Sequence, residues 1–116
     1  MPSIVIRLDP AKLSRVTADV RYEIPGRLAE RAHELIQEDG YDYEPGGAMQ
    51  IYLRTSDVTR ALPVVVALLE TEPFDGEVLA PAAQVGVSDA DAIDTTAFRI
   101  VYPPGAAGSI VPPPRP

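Results

Sequence analysis

Cysteine is absent from the 116 residues, as are tryptophan and asparagine. Without a thiol there is no disulfide, no cysteine nucleophile and no thiolate-held zinc or iron–sulfur centre. Long apolar runs are also missing. The longest, Ala61 to Leu69, has nine residues and contains a proline, whereas a spanning helix needs about 20. The opening "MPSIVIRLDP" lacks a basic leader and is not read as a secretory signal. Lysine is scarce, with nine of the ten basic residues being arginine, a usage that fits a GC-rich bacterial coding sequence. Together these features lead us to expect a soluble, cytoplasmic chain.

Negative charge is plentiful. The net charge is −7, and it is uneven. Residues 1–40 hold six basic and seven acidic side chains, residues 41–116 four and ten. Such a field repels phosphate backbones and anionic membranes and attracts cations, so neither nucleic acid nor membrane is an expected partner. Hydrophobic residues at 46% and charged residues at 23% are globular values. One domain of this length buries roughly two-thirds of its unfolded surface, enough for a core without metal or disulfide support.

Along the chain, "SIVIRL" (Ser3–Leu8) is β-branched, stopped by Asp9-Pro10, and reads as a strand. "DVRYEI" (Asp19–Ile24) alternates and reads as a second, short extended segment. Pro25 then suits the first position of a helix. That helix carries the stripe Leu28, Ala32, Leu35, Ile36 and stops near Asp39, with Gly40 as its left-handed cap. "AMQIYLR" (Ala48–Arg54) alternates with Met49, Ile51 and Leu53 inward. Ser56 is the expected cap of a second helix, with Asp57 in its first turn. Val58, Ala61, Leu62, Val65, Leu68 and Leu69 form its buried face. Val64 and Val66 make it apolar almost all round, as for a deep helix or one covering a subunit contact, and Pro63 predicts a kink or a delayed start. Asp75-Gly76 marks a turn. Ala82–Val87 and Ala97–Tyr102 read as a hairpin across "SDADAIDTT". Residues 105–116, rich in proline and glycine, read as a polyproline tail that Ile110 and Val111 can tether. No internal repeat is evident.

The densest chemistry lies in "QEDGYDYEPGG" (Gln37–Gly47), with four carboxylates and two tyrosines. Carboxylate oxygens suit hard cations, but Asp39, Asp42 and Glu44 have no calcium-loop spacing, and Asp89, Asp91 and Asp94 lack the glycine and distal glutamate of such a loop. No metal site and no cofactor are expected. His33, the single histidine, borders the helix stripe and reads as a boundary residue rather than a catalytic base. Gly46-Gly47 and "GAAG" at 105–108 lack phosphate-loop spacing, and "VPPPRP" lacks a complete groove-binding motif. A binding surface remains. Tyr41 and Tyr43 offer rigid apolar area, and Asp42 and Glu44 offer charge for a basic partner. An alternative ligand or catalytic site uses Gln50, Tyr52 and Arg54, which share one face of the strand.

The expected architecture is α+β, a two-layer sandwich over residues 1–104. One mainly antiparallel sheet of about four strands carries two helices on one face. A ferredoxin-like variant belongs to this class, but the element order as read is not a clean βαββαβ. The expected function is that of a non-enzymatic acidic binding protein, of the immunity or antitoxin type that neutralises a basic bacterial toxin. The alternative is a small-molecule-binding or catalytic domain with its site on the open sheet face. A homodimer is compatible with either.

Overall fold

Strand β1 (Ser3–Leu8) sends Ile4, Ile6 and Leu8 to one side and Val5 to the other, and all four are buried. A strand apolar on both faces belongs in the middle of a covered sheet. In the computed structural model, which describes residues 1–14 and 19–114, β1 is central. The following elements are α1 (Val20–Ala32), β2 (Ile36–Tyr43), β3 (Met49–Thr55), α2 (Val58–Thr71), β4 (Pro73–Phe74), β5 (Glu77–Val78), β6 (Ala83–Ser88), β7 (Phe98–Tyr102) and β8 (Ser109–Ile110). The main sheet has the order β2-β3-β1-β6-β7-β8, antiparallel at every pairing. Strands β4 and β5 form a separate hairpin closed by Asp75-Gly76, both at positive φ. The architecture is the expected α+β two-layer sandwich, with six strands in place of about four.

The first helix corrects the sequence reading. Asp19–Ile24 is not extended. The Asp19 carbonyl accepts from the backbone N–H groups of Tyr22 and Glu23 and starts α1 there. Val20, Ile24 and Leu28 are buried at i, i+4 and i+8. Over six residues, Val20 and Ile24 satisfy both a period of two and a helical stripe, and only Leu28 decides between them. Pro25 is therefore the sixth residue of the helix, not the first. With Asp19–Ile24 inside α1, the order β1-α1-β2-β3-α2-β6 becomes βαββαβ. The sheet order β2-β3-β1-β6 is the arrangement of a ferredoxin-like split βαβ fold, to which β7 and β8 are appended.

The helix also ends early. His33 is its last cap residue, and the chain from Ile36 onward is strand. Gly40 is not a helix stop. At φ +92° it forms a bulge in β2, between Glu38 paired with Leu53 and Tyr41 paired with Ile51. One residue more on β2 than on β3 lets Ile36 enter the core while Tyr41 lies on the same side of the sheet.

In α2 the cap shifts by one residue. Asp57, not Ser56, accepts from the Arg60 N–H, and Thr55 Oγ1 accepts from Asp57 N–H. Pro63 does not interrupt the helix. It is again the sixth residue, and its missing N–H leaves one unused carbonyl, that of exposed Thr59. Both helices cover the face bearing Ile4, Ile6, Ile51, Leu53 and Val85.

The opposite face has its own smaller core of Val5, Tyr52, Ala92, Phe98 and Ile110. It is covered by the Asp89–Ala97 segment and by the chain after residue 104. The sequence boundary at 104 thus falls inside the sheet: Ile110 pairs with Phe98 and is 3% exposed. Gly86 permits this second layer, since a Cβ there would stand 2.8 Å from the Phe98 Cβ. The last two residues of the expected tail lie outside the described residues.

Candidate functional site

The segment Tyr41–Glu44 is split between the two faces of β2. Tyr41 and Tyr43 point to the helix side at the outer edge of the sheet, 37% and 44% exposed. There they meet Tyr22 of α1, 53% exposed. The rings form an edge-to-face ladder, Tyr22 to Tyr41 and Tyr41 to Tyr43, each with centroids 5.9 Å apart. Near-perpendicular rings at this separation place a positive edge against a negative face. Arg21 lies over the Tyr22 and Tyr41 rings at 4.7 and 5.2 Å and donates to the Tyr43 hydroxyl at 3.0 Å. Arg21 thus touches all three tyrosines of the ladder. Glu38 joins the row because the bulge at Gly40 restores its side, opposite Leu53 on the strand where Tyr41 is opposite Ile51.

Asp42 and Glu44 turn the other way. Glu44 receives two bonds from Arg7, Nε to Oε2 at 2.6 Å and a terminal nitrogen to Oε1 at 3.0 Å. Gln50 Nε2 donates to Glu44 at 2.8 Å and to the Val111 carbonyl at 2.9 Å. The Tyr52 hydroxyl lies 2.9 Å from Gln50 Oε1 and 3.1 Å from Asp42 Oδ2. Arg7–Glu44–Gln50–Tyr52–Asp42 is thus one polar chain beneath the second layer, with its buried amide satisfied at both ends. The Arg7 guanidinium holds the Glu44 carboxyl below the usual carboxylate range, against the opposing effect of burial and with help from Gln50.

The open sheet face expected around Gln50, Tyr52 and Arg54 is closed. Gln50 and Tyr52 are fully buried, the Tyr52 ring stacked on Phe98 at 5.9 Å. Arg54 is part-exposed beside Asp39, at 3.9 Å, in a small cleft that Asp91, Ala92 and Ile93 complete. The physical reason is the return of the chain through β8, which brings Ile110 over the face. His33 is exposed at the end of α1. Among the described residues, no three His, Asp or Glu side chains are grouped to hold a metal ion, and no helix is long and apolar enough to cross a membrane.

Sequence reasoning misses Tyr22 and Arg21 as site residues, because "DVRYEI" reads as a strand. The spacing Val20–Ile24–Leu28 is the signal that puts both on the exposed flank of a helix. No protein-family model, curated protein or solved structure matches this chain.

The ladder has a titration signature. Arg21 draws the Tyr22 hydroxyl below its ordinary value of 10.0, with Tyr41 assisting, whereas Tyr41, bonded to Tyr22, is raised. A phenolate on Tyr22 is stabilised by the adjacent cation, and Tyr41 then gives up its proton later. In an absorbance titration, Tyr22 should ionise before Tyr41. Tyr22→Phe should abolish that early step and return Tyr41 toward an ordinary value. A Tyr22→Phe curve that keeps the early step would dismantle the ladder as described.

Proposed function

We propose that the protein is a non-enzymatic binding protein that neutralises a basic protein partner, as an immunity or antitoxin-type inhibitor does, and that Tyr22, Tyr41 and Tyr43 are its anchor. The observation that carries this reading is the clamped tyrosine ladder at the edge of an acidic domain. Large aromatic side chains held rigid lose little entropy on binding and are the residue type that dominates interface energies. A net charge of −7 speeds encounter with a cationic partner, and Glu38 supplies a local carboxylate in the same row. Asp42 and Glu44 support the ladder from the opposite face of β2 and do not share its surface.

The test is capture from native bacterial lysate on immobilised protein, with wild type compared with the Tyr41→Ala/Tyr43→Ala double variant. Circular dichroism first establishes that the variant is folded. A basic protein retained by wild type should bind the variant about 30-fold more weakly, the effect of losing one strong anchor. Produced alone, that protein should arrest growth, and co-expression of the wild-type chain should relieve the arrest. Identical capture by a folded double variant would overturn the assignment.

A further inference from the structure

A second surface, at the other end of the sheet, has no role in this reading. On α2, Val58, Leu62 and Val66 pack at the margin of the main core and stay half-buried. Together with Val87 of β6 and Val101 of β7 these residues line an open apolar groove of about 680 Å³. On the helix side of β7, Tyr102 is buried, whereas Val101 is half-buried and Arg99 exposed.

The groove is apolar along its length and charged at its ends. β3 ends at Thr55, beside Ser3 and Ser88 in the register, and α2 starts there. Because Arg99 pairs with Val87 and Tyr102 with Val85, Arg99 lies at the N-terminal end of α2. At the other end Glu70 accepts from the Tyr102 hydroxyl at 3.1 Å. Arg99 is exposed and makes no ion pair or side-chain hydrogen bond among the described residues. The helix dipole adds positive charge at the Arg99 end and negative charge at the Glu70 end.

We infer that this groove is covered by a second copy of the same chain, related by a two-fold axis across the middle of α2. A two-fold axis reverses the groove, so Arg99 of one copy meets Glu70 of the other, twice, and the two α2 helices run antiparallel. An isologous contact of this kind uses every feature of the groove. A small amphipathic anion would satisfy Arg99 but leave the Glu70 carboxylate facing its apolar tail. Four strand steps separate β7 from β2, roughly 19 Å at sheet spacing, so the dimer leaves both tyrosine ladders free.

The test uses full-length protein in sedimentation equilibrium. Wild type should show twice the 12.5 kDa chain mass. Arg99→Glu and Glu70→Arg should each weaken the dimer roughly tenfold or more, because each places like charges together at both ends. Mixing these two variants should restore a dimer, since one chain then carries acid at both ends of its groove and the other carries base at both. If either charge variant is not folded by circular dichroism, Pro63→Cys decides instead. Pro63 is exposed at the middle of the groove, and the only thiol in the chain should form a disulfide-linked dimer on oxidation. Wild type that stays monomeric up to about 100 μM overturns the inference. So does a dimer that survives both charge reversals, or a Pro63→Cys chain that does not cross-link.

Discussion

Deleting residues 105–116 should lower stability by about 3–5 kcal/mol. Ile110 is 3% exposed against Val5, Tyr52, Ala92 and Phe98, and losing a fully buried isoleucine costs about 1.5–3 kcal/mol of transfer energy. The deletion also removes the Val111 carbonyl that accepts from buried Gln50, leaving an amide donor short of a partner at about 1–3 kcal/mol. The two effects act on different groups and largely add. Urea denaturation measures the sum, and Ile110→Ala should reproduce about 2–4 kcal/mol of it. Val111→Ala is the control. Its side chain is 62% exposed and its carbonyl is retained, so it should change stability by less than about 0.5 kcal/mol. A deletion that costs under about 1 kcal/mol, less than the burial of Ile110 alone, would show that β8 does not hold the second layer in place.

Glu44→Lys should cost about 3 kcal/mol or more and should unfold the far face before it affects any partner. The carboxylate is 22% exposed and receives both nitrogens of the Arg7 fork. Reversal sets an ammonium against a guanidinium and strands Gln50, a case where breaking a mostly buried pair costs far more than a surface one. Acid titration gives an independent reading. Arg7 lowers the folded-state pKa of Glu44, so the unfolded state takes up protons first. The resulting stability is present above the unfolded value of about 4.3 and is lost as pH falls through the lower folded value. Glu44→Gln should therefore flatten the acid limb of the stability curve in that window and leave the slope near neutrality unchanged. An acid limb identical to that of wild type would remove Glu44 from the network.

The strands marked by β-branched runs or by alternation are legible in the sequence. β1, β3, β6 and β7 fall within a residue or so of their expected bounds, and Met49, Ile51 and Leu53 face the helices as read. Two local features hide the rest. Asp19–Ile24 alternates by composition but is too short to separate a period of two from one of 3.6. β2 has no readable period because the Gly40 bulge shifts its side-chain register midway. The stripe Leu28–Ala32–Leu35–Ile36 is genuine hydrophobic patterning drawn from two elements, the first two residues from α1 and Ile36 from β2. For the site, the tyrosines of β2 are visible in the sequence, but their partners are not, since Tyr22 and Arg21 reach them only through the tertiary fold. Asp42 and Glu44 look like part of the same surface only while the segment reads as a loop. Once it is a strand, alternation sends them to the opposite face.

The central position of β1 governs how the chain acquires its structure during synthesis. Ile4 has its two sheet neighbours at Leu53 and Val87, so neither of its pairings is local. Such pairings pay for long loop closures before any contact rewards them, and topologies built on them fold slowly. On a ribosome adding about 5–20 residues per second, the 80 residues from Leu8 to Ser88 occupy about 4–16 s. For the first half of that interval a strand apolar on both faces has no partner at all, and until its end it has only β3. Strand β1 before its partners are made, rather than the finished sheet, is therefore the point at which this fold is most exposed to aggregation.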